Sequence, residues 1–130
     1  MRRLPLRPRW LGTFALAAGY HARYYGSAQR IRDRLTRELR AVFAGGVDVL
    51  VTPTTPGPAF RLGERLDDPY RMYLEDVFTV TANLAGLPGA SVPIGQVDGL
   101  PVGGQLLADR WREPVLIRAA AAVERWARSG

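Results

Sequence analysis

Val47-Asp48-Val49-Leu50-Val51-Thr52, followed at once by Pro53-Thr54-Thr55-Pro56-Gly57-Pro58, is the stretch on which the fold turns. Four of the first six residues are β-branched and the stretch is nearly continuous in apolar character, which predicts a strand buried on both faces, as in a parallel or mixed sheet. The next six hold three prolines and a glycine. They predict a loop, because proline fixes φ and donates no hydrogen bond to a ladder. Ligands of α/β proteins tend to sit in loops that follow the C-terminal ends of strands. Upstream, Leu11 to Phe43 reads as helix. Ile31, Leu35, Leu39 and Val42 recur as one stripe of a 3.6-residue period, with Arg residues mostly on the opposite face. Phe14, Tyr20, Tyr24 and Tyr25 make the first half of this stretch aromatic and buried in character, and Gly45-Gly46 stops it. A helix that runs into a buried strand predicts an α/β layer architecture.

Downstream, Asp68-Pro69 predicts a helix start, with Asp as N-cap and Pro at the first helical position. The residues after it carry two periods at once. Val77, Thr79 and Thr81 alternate with Phe78, Val80 and Ala82 as in a strand, while Val77, Val80, Thr81 and Leu84 share one helical face and Gly86 supplies a stop. We read helix. Ala90–Gly95 and Leu100–Ala108 flank Asp98-Gly99, and an Asp-Gly pair between apolar runs predicts a two-residue hairpin. Val115–Ala127 closes the chain as a helix after Pro114, with Leu116, Ala120, Val123 and Ala127 on its buried face.

Composition removes whole classes of chemistry. The 130 residues contain no cysteine, so disulfides, Cys-ligated metals and thiol catalysis are excluded within them. All 18 basic residues are Arg, which excludes Schiff-base and Lys general-base chemistry. A single histidine, His21, leaves no multi-histidine metal site. The serines are Ser27, Ser91 and Ser129, placed in a helix, a strand and near the C-terminus, and none has a base close in sequence. No phosphate-binding loop occurs, since the glycines of Gly86-Leu87-Pro88-Gly89 follow a helix instead of opening one. The acidic cluster Glu64, Asp67, Asp68, Glu75 and Asp76 is explained in part by helix capping, which accounts for Asp67 and Asp68 better than for Glu75 and Asp76.

The net charge of +6 is an N-terminal property. Arg2, Arg3, Arg7 and Arg9 fall in ten residues without an acid, and six more Arg follow by residue 40. From Gly45 onward eight Arg face ten acids. Such a gradient reads as the solvated face of an amphipathic helix, with a small basic RNA-binding protein as the alternative of another class. No apolar run approaches the roughly 20 residues of a membrane span. Pro5 and Pro8 interrupt the start, which does not read as a secretory signal, and a cytoplasmic location with no membrane partner is expected.

Four blocks then stand in order: GTFALAAGYHARYY (Gly12–Tyr25), VDVLVTPTTPGPAF (Val47–Phe60), DDPYRMYLEDVFTVTANLAGLPGASVP (Asp67–Pro93) and DGLPVGGQLL (Asp98–Leu107). Together they resemble the amidase signature family, and within it the branch of glutamyl-tRNA(Gln) amidotransferase A subunits. The resemblance runs from about Leu11 to Trp126 and covers only the C-terminal part of the family's domain. Residues 1–10 form a basic start unlike the family, and residues 11–130 the C-terminal part of the amidase domain. The fold implied is α/β, a mixed β-sheet flanked by helices that is incomplete without the N-terminal region.

The family's catalytic Ser, cis-Ser and Lys lie upstream of these blocks and have no counterpart here. The resemblance therefore implies a chain that contributes to an enzyme releasing ammonia from glutamine, for conversion of Glu-tRNA(Gln) to Gln-tRNA(Gln), but is inactive alone. A general small-amide amidase of the same family is the alternative. The implied partners are glutamine, the missing N-terminal half of the domain, the B and C subunits of the amidotransferase and, indirectly, tRNA. No cofactor is implied for this chain; ATP and magnesium belong to a partner subunit. The family's Asp after the Met-Tyr pair, which binds the substrate α-amino group, matches Asp76. Its carboxylate-binding Arg falls in register at Pro8, between Arg7 and Arg9, and Arg9 is the substitute considered for that role. Two further departures are Gly104, where the family usually has a large apolar residue, and Arg112, where an acidic helix cap is usual.

Overall fold

A computed structural model describes residues 25–64 and 69–129. The chain divides into two compact units, Met1–Arg34 and Leu35–Gly130. The described elements run α1 (Gly26–Ala44), β1 (Val49–Pro53), α2 (Pro69–Leu74), α3 (Thr79–Ala85), β2 (Gly89–Val97), β3 (Leu100–Ala108) and α4 (Glu113–Ser129). The α/β class and the positions of β2, β3 and α4 agree with the sequence reading; the first predicted helix is described only from Gly26 onward, and the helix read from Asp68 onward is two short helices, α2 and α3, separated by a turn at residues 75–78. The predicted Asp68 cap, His21, Arg9 and the aromatic residues Phe14, Tyr20 and Tyr24 lie outside the described residues.

Three strands form an antiparallel sheet in the order β1-β3-β2. The expectation of a doubly buried parallel or mixed strand at Val47–Thr52 is corrected in two respects. The strand is Val49–Pro53, and it is an edge strand whose Val51 remains 66% exposed. Pro53 is tolerated at its end because one side of β1 has no partner strand among the described residues. The Asp98-Gly99 hairpin forms as predicted. Asp98 and Gly99 both adopt positive φ (51° and 76°), the geometry of a type I′ turn that matches strand twist, and Val97 pairs with Leu100.

Opposed residues of an antiparallel pair share a face, so the register sorts the side chains. On one face Leu50 and Leu87 join Phe43 and Leu39 of α1 and Ala85 of α3. On the other, Leu106 and Ala108 pack with Val49, Ala90 and Val92 beneath Leu116, Ala119 and Val123 of α4. The buried stripe of α4 is the predicted one at Leu116 and Val123.

Two predicted helix faces are corrected. In α1, Ile31 is 67% and Val42 40% exposed, while Phe43 is buried. A step of four from Leu39 reaches Phe43, and the larger aromatic occupies the place assigned to Val42. Tyr25, expected buried, is 38% exposed and accepts a hydrogen bond from Gln29 Nε2 at 2.9 Å. In α3 the helix is as predicted but turned over. Ala82 and Ala85 are buried, whereas Val77, Val80 and Leu84 are 46%, 39% and 40% exposed. Close approach explains the choice of face: a Cβ on Gly89 would lie 3.0 Å from a Leu107 methyl and 4.0 Å from the Ala82 Cβ, so only small side chains fit there. Gly86 ends α3 in the left-handed region, Leu87 N–H donates back to Ala82 O, and the Arg110 guanidinium donates to Ala85 O at 2.7 Å.

The two family departures have structural counterparts. The register of β2 slips between Pro93 and Gly95, which makes Ile94 a bulge. A Cβ on Gly104 would sit 2.7 Å from Ile94 Cγ2, so Ile94 fills the space a larger residue 104 would take. Arg112 donates to Asp48 Oδ1 at 3.3 Å, and the acid of the α4 first turn is Glu113.

Exposed Val51, Leu62, Tyr70, Tyr73, Ile117 and Trp126, each 65% or more accessible, are more apolar surface than a small monomer usually shows. The chain alone is expected to bind an apolar fluorescent dye in its native state and to self-associate. A monodisperse sample without dye binding would contradict this. A second expectation concerns Gly103, where a Cβ would fall 2.7 Å from Ser91 Oγ and 2.8 Å from Thr54 Oγ1. Gly103→Ala should lower the denaturation midpoint by the equivalent of about 1–3 kcal/mol, and Ser91→Ala in the same chain should restore part of it. An unchanged midpoint argues against the crowding.

Candidate functional site

The sheet face that carries Leu50 changes character along its strands. Beyond Leu50 and Leu107 come Thr52, Gln105 and Ser91, which stand opposite one another in register, and then Thr54 beside Gly103. Thr54 N–H donates to Gly103 O at 3.0 Å, carrying the ladder one residue past β1, and the Thr54 and Ser91 hydroxyls lie 2.7 Å apart. Gly103 has no side chain, and the space this leaves lets the two hydroxyls meet.

Gln105 is 6% exposed, the one buried polar residue among those described. Its Nε2 donates to Thr52 Oγ1 at 2.9 Å and to the Phe78 carbonyl at 3.0 Å. A carbonyl can only accept, so the amide must present its NH₂ to Phe78. The sheet is thereby tied to the turn that leads into α3.

That turn carries Asp76. Between α2 and α3 the chain advances by successive three-residue bonds: Glu75 N–H to Met72 O (3.4 Å), Asp76 N–H to Tyr73 O (3.3 Å) and Val77 N–H to Leu74 O (3.2 Å). The Asp76 carbonyl then receives Thr79 N–H, Val80 N–H and the Thr79 hydroxyl at 3.1, 3.0 and 3.2 Å. The backbone of Asp76 is thus held on both sides, and the residue is exposed. Residues either side of it, Leu74, Val77 and Phe78, face Pro53, Thr55 and Pro56 across an open groove of about 370 Å³. Thr55 Oγ1 donates to Gly57 O at 2.7 Å and tightens the loop wall. A mostly apolar groove can hold an aliphatic stem, and a carboxylate on the turn that forms one of its walls can pair with a cationic end that reaches it.

Of the two sequence-predicted site residues, Asp76 lies in the turn between the groove-lining Leu74 and Val77 but does not itself line the groove, and Arg9 lies outside the described residues. Sequence reading missed Thr52, Thr54, Ser91 and Gln105. Gln105 had a signal, a lone amide at the head of the apolar run Leu106-Leu107-Ala108. The hydroxyl pair had none, because it joins residues 37 positions apart. Among the described residues no group of three or more His, Asp or Glu is positioned to hold a metal ion, and no helix is long and apolar enough to cross a membrane.

Known proteins share this arrangement of chain. The chain is 54% identical over 116 residues to the A subunit of glutamyl-tRNA(Gln) amidotransferase from Salinibacter ruber, a match that spans 87% of this chain and 22% of that protein. Among solved structures it superposes on the corresponding A subunit from Thermotoga maritima with a TM-score of 0.78 at 42% identity, covering 92% of this chain and 26% of that one. The peptide amidase of Stenotrophomonas maltophilia gives a TM-score of 0.61 at 36% identity, over 87% of this chain and 21% of that one. The chain thus spans about a quarter of the length of these relatives. The Amidase family profile matches residues 6–117, and the chain belongs to that family.

Proposed function

We propose that this chain is the substrate-recognising part of a glutamine-hydrolysing amidase, the C-terminal portion of a glutamyl-tRNA(Gln) amidotransferase A subunit. The observation that carries the reading is the 54% identity over 116 residues to such a protein, supported by superposition, which gives 42% identity and a TM-score of 0.78 on an A subunit against 36% and 0.61 on a peptide amidase of the same family. In this reading the Asp76 carboxylate pairs with the α-ammonium of glutamine. The two methylenes of the substrate lie along the groove between Leu74, Val77, Phe78 and the Pro53–Pro56 loop. The substrate carboxylate needs a cation from elsewhere, for which Arg9 is the candidate within this sequence.

The chemistry itself is assigned to residues beyond this chain. The family's nucleophilic serine is activated through a second serine and a lysine, and no lysine occurs in these 130 residues. What this segment does is bind and orient. Fixing the amino end of glutamine sets where the carboxamide falls, and a misplacement of about 1 Å at the reacting centre can cost on the order of 100-fold in rate. Ammonia released there serves the amidation of glutamyl-tRNA with the B and C subunits, whose ATP and magnesium are not part of this chain.

Two measurements test the reading. Given glutamine, the chain alone should release ammonia at the buffer rate, and turnover above background would overturn the assignment of catalysis to other residues. In a full-length A subunit carrying this segment, Asp76→Ala should raise the glutamine KM by about 10- to 100-fold, the loss expected for a charge-assisted hydrogen bond, with a smaller change in kcat. Equal KM values would remove Asp76 from the pocket.

A further inference from the structure

A buried glutamine in a strand is expensive. Its amide must be desolvated and its flexible side chain ordered, whereas Leu or Met in the same place would do neither polar task nor incur the desolvation. Gln105 occupies a core position between the apolar Leu106 and the backbone of Gly104, and both of its described hydrogen bonds leave its own strand. One goes to Thr52 Oγ1 on β1. The other crosses from the sheet to the Phe78 carbonyl, two residues beyond Asp76.

We infer that Gln105 is a positioning residue for substrate recognition: its amide fastens the Asp76 turn to the sheet and so fixes the carboxylate relative to the groove. This rests on the reading of Asp76 as the ammonium partner. The reason such a strut is needed lies in the turn itself. The bonds that build it between Met72 and Val77 are long and local, and Tyr70, Met72, Tyr73 and Val77 are 46% or more exposed. Local three-residue bonds set the shape of a turn but not its height above a neighbouring strand. The Gln105–Phe78 bond sets that height, because its two ends belong to different layers. It also joins the groove to its opposite wall. Thr52, the second partner of Gln105, lies next to Pro53, which lines the groove on the loop side. One side chain therefore gauges the distance between the Leu74–Phe78 wall, within whose turn Asp76 lies, and the wall that faces it.

The test uses a full-length A subunit carrying this segment, with glutamine as the probe. KM, kcat and melting temperature are read for Gln105→Met, Gln105→Glu, Asp76→Ala and the double variant Asp76→Ala/Gln105→Met. Both replacements keep the length of the side chain; Met loses the donors, and an ionised Glu turns an acceptor toward the Phe78 carbonyl. Gln105→Met should raise the glutamine KM about tenfold, the scale of one lost buried hydrogen bond, and change kcat by less than about twofold. In the Asp76→Ala background it should add nothing further to KM, because a strut for an absent carboxylate has no effect on binding. A role confined to stability would lower the melting temperature and leave KM unchanged, or would multiply the KM of the double variant, and either result overturns the inference. Should Gln105→Met fail to fold, Gln105→Glu decides by the same KM. If Asp76→Ala itself leaves KM unaltered, the glutamine reading falls and the inference with it. If Asp76→Ala raises KM and neither Gln105 variant does, the inference alone falls.

Discussion

Everything in the described sheet hangs on β3, the strand that pairs on both sides. Because successive residues of a strand point to opposite faces, β3 has to satisfy two unlike environments in alternation. Toward α4 it offers Leu106 and Ala108 to an apolar layer. Toward α1 and α3 it offers Leu107 and then Gln105, and the same face passes from apolar to polar within two residues. A shift of one residue in register would bury the amide beneath α4 and exchange Leu106 and Leu107 between the two layers. The type I′ turn at Asp98-Gly99 prevents that slip, since it fixes β2 against β3 from the first pair onward.

Where the sequence pattern was local, it was legible. The Asp-Gly hairpin, the Gly86 stop, the α4 stripe and the proline-rich loop after β1 each depend on residues a few positions apart, and each has its expected form. The α/β class followed from them. What was not legible is which face an element turns inward. For α3 the sequence reading chose helix over strand and named the apolar Val77–Val80–Thr81–Leu84 face, whereas the buried residues are Ala82 and Ala85. Packing chose the alanine face, because the close approach of Gly89 and Leu107 favours small side chains there. The same holds for β1, whose apolar run suggests burial on both faces although, among the described residues, one edge has no partner strand and Val51 is exposed. An apolar residue in a sequence marks a surface that some partner can cover, and says nothing about which chain supplies it.

The candidate site divides in the same way. Asp76 was found through the family resemblance and not through its surroundings, since an acid after a helix is more often a cap than a ligand. The groove lined by its neighbours was not visible at all, because its walls come from residues 53–56 and 74–78, which meet only in the folded sheet. Gln105 lay in plain view as an amide beside an apolar run, but its meaning depends on Phe78, 27 residues away.

At the β2 bulge, the Ile94 side chain occupies the space above Gly104 that a larger residue at 104 would otherwise fill. Volume on that patch of sheet is thus contributed by one of two positions ten residues apart, and Gly104 cannot be enlarged unless Ile94 shifts or shrinks. Enlarging residue 104 while Ile94 stays in place would force a clash, so the bulge and the glycine are best altered together.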